Sequence, residues 1–150
     1  TKELFKVAAT HQIPVYCLGA APGVAQRAID NVSAQVGVLN IAGIHDGFFD
    51  SAEEQEIIKS IAESKAKLVF VALGVPKQEQ WIAEKLSHLD GVVAIGIGGS
   101  FDVLAGNIPR APEWMQQNRL EWLYRLYLEP QRIGRMLAIP KFMWTVIRNK

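Results

Sequence analysis

The 150-residue chain is 49% hydrophobic and 21% charged, so it is long and apolar enough to fold around a core and is not disordered. A single Cys17 excludes an internal disulfide framework and fits a reducing compartment, and no apolar run approaches the roughly 18 residues of a transmembrane helix. The net charge of +1 is unevenly spread: residues 1–109 hold 8 Lys/Arg against 12 Asp/Glu, while residues 110–150 hold 8 against 3 and three of the four Trp.

The opening, "TKELFKVAATHQIP", reads as an amphipathic helix with scattered charges rather than a signal peptide. Its lack of an initiating Met is expected of a piece of something longer. "PVYCLG" (14–19) is a short apolar run bounded by Pro and Gly, and so predicts a buried strand. "GVAQRAIDNVSAQV" (23–36) has helical spacing, with Val24, Ala28, Val32 and Val36 on one stripe. "GVLNIAG" (37–43) predicts the next strand and "SAEEQEIIKSIAES" (51–64) a helix, with Ser51 as N-cap and Glu54 completing a capping box. "KLVFVALG" (67–74) is the clearest strand, "KQEQWIAEKLSHL" (77–89) a helix, and "GVVAIGIGG" (91–99) a fourth strand. Strands without polar alternation, each followed by a helix, predict an α/β fold with a doubly wound, mostly parallel sheet over residues 1–109. Residues 110–150, punctuated by Pro112, Pro130 and Pro140, predict a basic, aromatic helical appendage that needs no further strand.

Such sheets bind ligands beyond the carboxyl ends of their strands, which directs attention to four segments. "LGAAPG" (18–23) is a tight turn or a ligand loop, without the G-x-G-x-x-G dinucleotide fingerprint. "GIHDGFFD" (43–50) carries His45, Asp46 and Gly47. Asp-Gly is a common turn pair, and no second His or Cys stands at metal-ligand spacing. "GVPKQEQW" (74–81) makes a rigid strand exit and then places Lys77, Gln78 and Glu79 at a helix start, where an anionic or polyhydroxylated ligand would be welcome. Trp81, one turn on, reads as packing. "GIGGSFD" (96–102) puts Gly98 and Gly99 where backbone can approach a ligand, with Asp102 as an acceptor for a ribose diol. No P-loop and no Asp-x-Asp metal pair is present.

In "EWLYRLYLEPQRIGR" (121–135), a continuous helix would set Arg132 about 20° and Arg135 about 80° from Arg125. Arg outnumbers Lys six to two in residues 110–150, whereas residues 1–109 have one Arg and seven Lys. That switch favours bidentate phosphate recognition over a solvated face, with two or three guanidinium groups replacing a metal on a diphosphate. The aromatics have helical spacing and form no base-stacking platform, so nucleic acid is not the expected partner.

Taken together, "GVPKQEQW", "GIGGSFDVLAG", "PRAPEW" and "LEWLYRLYLEPQRIGR" resemble the WecG/TagA/CpsF family of bacterial glycosyltransferases, in order and over essentially the whole chain. The ending "RMLAIPKFMWTVIRNK" looks more like the teichoic-acid branch than the enterobacterial one. The resemblance implies a Rossmann-like domain that handles a UDP-sugar donor. It implies inverting transfer of N-acetylmannosamine to a polyprenyl-diphosphate-linked N-acetylglucosamine, with no metal or other cofactor. It implies that Asp102 holds the ribose, Ile97, Gly98 and Gly99 line the nucleotide, Gly47 lies beside the donor pocket, and Gln78 sits near the reaction centre. Arg125, Arg132 and Arg135 match appendage arginines that close over the diphosphate.

Family members carry a further N-terminal third whose Asp-Gly supplies the general base. Asp46-Gly47 imitates that pair in letters but lies in a different segment, so this chain on its own is expected to bind donor and to catalyse little. A lipid-linked acceptor implies work at the cytoplasmic face of the plasma membrane. There Lys141, Arg148 and Lys150 would meet headgroups, and Phe142, Met143, Trp144, Val146 and Ile147 would either dip into the interface or pack on the sheet domain. The apolar appendage leaves open whether it closes over its own site or docks on a neighbour in a homo-oligomer. The competing readings are a non-catalytic nucleotide-binding or membrane-adaptor module, and an NAD-type oxidoreductase that the missing fingerprint disfavours.

Overall fold

The computed structural model describes residues 1–109, 112–118, 120, 123, 124 and 127. The chain divides into two compact units, Thr1–Pro109 and Arg110–Lys150.

The first unit runs α1 (Lys2–Thr10), β1 (Val15–Gly19), α2 (Val24–Val36), β2 (Ile41–His45), α3 (Ser51–Glu63), β3 (Leu68–Ala72), α4 (Lys77–Trp81), β4 (Val93–Gly96) and α5 (Ser100–Leu104). All strand pairings are parallel and the sheet order is β2-β1-β3-β4. This is the doubly wound α/β arrangement that the apolar strands imply.

Both faces of the central strands β1 and β3 are covered, and the strand period of two divides the core. From β1, Val15 and Cys17 join Leu68, Phe70 and Ala72 of β3 on one face, packed with Phe5 of α1, Val24, Ala28 and Val32 of α2, and Phe101 of α5. Tyr16 and Leu18 join Val69 and Val71 on the other face, with Ile57 and Ile61 of α3, Trp81 and Leu86. Phe5 and Phe70 meet with ring centroids 4.5 Å apart. Because each neighbouring side chain enters a core, β1 and β3 show no polar alternation in sequence.

Several boundaries differ from the sequence reading. The second strand begins at Ile41, beyond the predicted 37–43 start, and Gly37 terminates α2 with φ +98. The cap of α3 is Asp50, not Ser51: its carboxylate accepts from Ala52 N and Glu53 N, and Glu53 returns a bond to Asp50 N. The pattern is shifted by one because Glu54 is used on the buried side of the helix. The helix predicted for 77–89 is α4 followed by a π-helical turn, Ile82–Leu86. The fourth strand is shortened to four residues, its end fixed by Gly98 and Ser100 as described below.

In the second unit, α6 (Glu113–Gln117) is followed by Leu120, whose N–H donates to Met115 O at 2.8 Å. Arg125, Arg132, Arg135 and the segment from Lys141 to Lys150 lie outside the described residues.

Candidate functional site at the carboxyl ends of the strands

The sheet order puts the point where the winding reverses between β1 and β3, the place where open α/β sheets form a ligand crevice. After β1 the chain turns toward α2 on one face, and after β3 it turns toward α4 on the other. Gly19 makes this close approach feasible. Its φ is +120, and a Cβ there would stand 2.5 Å from the carbonyl carbon and oxygen of Ala72. Ala20 N donates to that same Ala72 O at 3.1 Å, tying the two strand exits together.

The segment after β2 docks against the β1 exit. Gly47 N donates to Ala20 O at 2.8 Å, and a Cβ on Gly47 would come within 3.3 Å of Ala20 N and O and Gly19 Cα. A side chain at Gly47 would thus make these loops give by a few tenths of an ångström. Asp46 makes an Asx turn, with Oδ1 accepting from Phe48 N at 2.8 Å, and His45 Nδ1 lies 3.0 Å from Asp46 O. A cleft of about 250 Å³ opens here between Ala21, Gly23, Gln26, Ile44 and His45, one strand aside from the winding reversal.

The residues singled out after β3 and β4 meet each other. Gln78, in the first turn of α4, is 3% exposed. Its Oε1 accepts from Gly98 N at 2.9 Å and its Nε2 donates to Glu79 Oε1 at 2.7 Å. Ile97 N extends the ladder to Val71 O at 2.8 Å, and Ser100 closes the turn by donating N–H and Oγ–H to Ile97 O at 3.2 and 2.6 Å. Gly98 takes a left-handed φ of +52, Gly99 stands at the N-cap of α5, and Asp102 is half-buried in its first turn. Lys77 is exposed, its Nζ 5.5 Å from the centroid of the Phe49 ring.

A half-buried polar cluster anchors α4 from behind. Glu54 accepts from Trp81 Nε1 at 2.8 Å and pairs with Lys85 Nζ at 2.9 Å. The Lys85 ammonium bonded to it holds the Glu54 carboxyl below its ordinary range, against the opposing pull of burial. The Trp81 indole and the charges of Lys85 and Lys77 act in the same sense as Lys85's bond. On the central strand, burial pushes the Cys17 thiol up to about 12, so it carries no reactive thiolate near neutrality.

The structure brings Gln78 of α4 onto the turn of Ile97, Gly98 and Gly99, with Asp102 in the helix that follows, while Lys77 lies over the Phe49 ring. Gly47 lies at the neighbouring strand ends. The three arginines fall outside the described residues. Sequence reasoning singled out Glu79 at the helix start and Glu54 as a capping residue, but not their bonds to Gln78 and to Trp81 and Lys85, and it passed over Gly96. Gly96 closes β4 two residues before Gly98, so the local pattern reads as a glycine-rich turn and hides the close approach of the Gln78 amide. The other two residues work through a tertiary partner 27 positions away, Trp81 for Glu54, or through a neighbour's amide, which no local pattern displays. Among the described residues, no three His, Cys, Asp or Glu side chains converge as a metal cage.

Known proteins match along the same chain. The model of the glycosyl transferase WecG/TagA/CpsF family matches residues 1–150. The chain is 40% identical over 149 residues to the N-acetylglucosaminyldiphosphoundecaprenol N-acetyl-beta-D-mannosaminyltransferase of Bacillus subtilis strain 168, covering 99% of this chain and 57% of that protein. Enzymes of the same name from Bacillus spizizenii and Staphylococcus aureus strain NCTC 8325 are 42% and 34% identical, covering 91% and 99% of this chain and 52% and 58% of theirs. The chain thus spans about half the length of the curated relatives it matches. With the family matched from end to end and the motif residues gathered at the strand ends, the chain belongs to the WecG/TagA/CpsF family of glycosyltransferases.

Proposed function

We propose that the chain is the donor-handling portion of an inverting glycosyltransferase that moves N-acetylmannosamine from UDP to N-acetylglucosamine carried on a polyprenyl diphosphate. The observation that carries this reading is the family match over residues 1–150, joined to 40% identity with an enzyme whose name states that sugar and that acceptor. The chemistry of the strand ends supports it. A half-buried Asp102 follows two glycines whose backbone a nucleotide can approach, and a carboxylate accepts both hydroxyls of a ribose diol.

In this proposal Arg125, Arg132 and Arg135 neutralise the departing UDP, so the site works without a metal. The acceptor hydroxyl still has to lose its proton, and that base is assigned to polypeptide outside this chain. The basic residues Lys141, Arg148 and Lys150 hold the protein at an anionic membrane surface, on the cytoplasmic face where a lipid-linked acceptor is reached.

Calorimetric titration with UDP in EDTA tests the reading, comparing the wild-type chain with an Arg125→Ala/Arg132→Ala/Arg135→Ala variant. Binding by the wild type that the variant loses supports a metal-free diphosphate clamp. A wild type that ignores UDP yet binds anionic vesicles would replace the reading with that of a membrane-adaptor module.

A further inference from the structure

The Gln78 carboxamide is held by two partners of opposite hydrogen-bonding sense. Gly98 offers only an N–H and the Glu79 carboxylate only acceptors, so oxygen must face Gly98 and nitrogen must face Glu79. Flipping the amide would lose both bonds and oppose like groups in a site 3% exposed to water. Space for the amide comes from β4. A Cβ on Gly96 would stand 2.7 Å from Gln78 Nε2 and 3.0 Å from its Cδ, closer than packed atoms tolerate.

The bond to Gly98 falls where the β3–β4 ladder stops. Ile97 N still reaches the backbone at Val71 O, whereas the following N–H is received by the Gln78 side chain. Donors from β4 to β3 alternate, Val93 and Ile97 being among them, so the Gly98 N–H is out of phase with that ladder, and the Gln78 carbonyl receives it at the residue where the chain enters its left-handed turn toward Asp102.

We infer that Gln78 is a positioning residue: oriented by Glu79 and given room by Gly96, it receives the Gly98 N–H and sets the turn that presents Asp102 to the donor. The donor part of this inference rests on the proposed function; the brace itself does not. Gln78 is 3% exposed, so its contribution runs through the backbone of the turn.

The test has a ligand-free arm and a ligand arm. In the ligand-free chain, amide exchange at Gly98 is followed by NMR in wild type, Gln78→Met, Gly96→Ala, Glu79→Ala and Glu79→Gln. Gln78→Met keeps the side-chain length and removes both bonds. Gly98 is expected to exchange about ten-fold faster or more in Gln78→Met and Gly96→Ala, while Ile97 keeps its protection. Glu79→Ala accelerates Gly98, and Glu79→Gln, which retains an acceptor, restores most of the protection.

In the ligand arm, UDP affinity is measured for Gly96→Ala, Gln78→Ala and the double variant. Gly96→Ala is expected to weaken UDP about ten-fold in the wild-type background and less than about two-fold where Gln78 is already Ala, because the added methyl then meets no amide. Equal loss in both backgrounds, or unchanged Gly98 exchange in Gln78→Met, would overturn the inference. Should wild type fail to bind UDP, the donor reading falls and with it the presentation of Asp102, while Gly98 exchange still decides the brace.

Discussion

Replacing Glu54 with Gln gives a quantitative test of how α4 is anchored. The wild-type carboxylate accepts from Trp81 Nε1 at 2.8 Å and from Lys85 Nζ at 2.9 Å, with side-chain exposures of 19% for Glu54 and 30% for Lys85. A buried hydrogen bond to a charged group contributes about 1.5–3 kcal/mol and an exposed ion pair about 0.2–1 kcal/mol. A partly shielded site whose Gln replacement keeps one acceptor oxygen should lose about 1.5 kcal/mol. For a chain of this length that lowers Tm by about 3–6 °C.

The pH dependence supplies the sharper criterion. The Glu54 carboxyl is held below its ordinary value of 4.5 in the fold, foremost by the Lys85 bond, so its stabilisation is fully present above that value. It is lost as pH falls through the lower, folded value. Thermal unfolding followed by circular dichroism at half-unit pH steps should therefore show a constant gap between wild type and Glu54→Gln near neutrality, closing below pH 4.5. Parallel curves down to strong acid, or no gap at neutrality, would refute the assignment of that stability to the Trp81–Glu54–Lys85 cluster.

Other outcomes follow from the sheet. Gly19→Ala should cost about 3 kcal/mol or more in urea unfolding, because its Cβ would stand 2.5 Å from the Ala72 backbone. Gly37→Ala, with φ +98 and ψ −180 but nothing within 4 Å, should cost about 1–3 kcal/mol from backbone strain alone, and a Gly19→Ala loss no larger than this would mean that the clash at Gly19 is relieved. Phe70→Ala should destabilise by about 3–5 kcal/mol, since Phe70 is fully buried and stacked near Phe5. Cys17, with a thiol pushed up to about 12, should react with iodoacetamide at neutral pH only at the rate of unfolding, and rapid labelling of the native chain would contradict its burial.

The parallel sheet was readable because runs such as "KLVFVALG" feed side chains to two cores at once, leaving no polar phase. The strand-end glycines were readable as turns, and the grouping of Gln78 with Gly98 was not, since an amide 20 positions away meets a backbone N–H only after β3 and β4 pair. The cap of α3 misled by one residue because "DSAEE" contains two overlapping capping patterns, Asp50 with Glu53 and Ser51 with Glu54. The deciding fact is tertiary: Glu54 is taken by Trp81 and Lys85, leaving Glu53 to the cap. Asp46-Gly47 read as a turn pair, and the structure docks that turn on the β1 exit.

The winding that places β1 beside β3 also governs when the sheet can exist. Every β1 residue in register finds its β3 partner about fifty positions later, with α2, β2 and α3 in between. During synthesis, β1 emerges first and must wait with one edge unoccupied, its Val15–Gly19 backbone presenting an open row of hydrogen-bonding groups. Release of residues up to Ala72 from the ribosome is then the event that converts two loosely held strands into a sheet centre. A pause before that point would prolong the interval in which the nascent chain is a substrate for chaperones or for its neighbours on the same message.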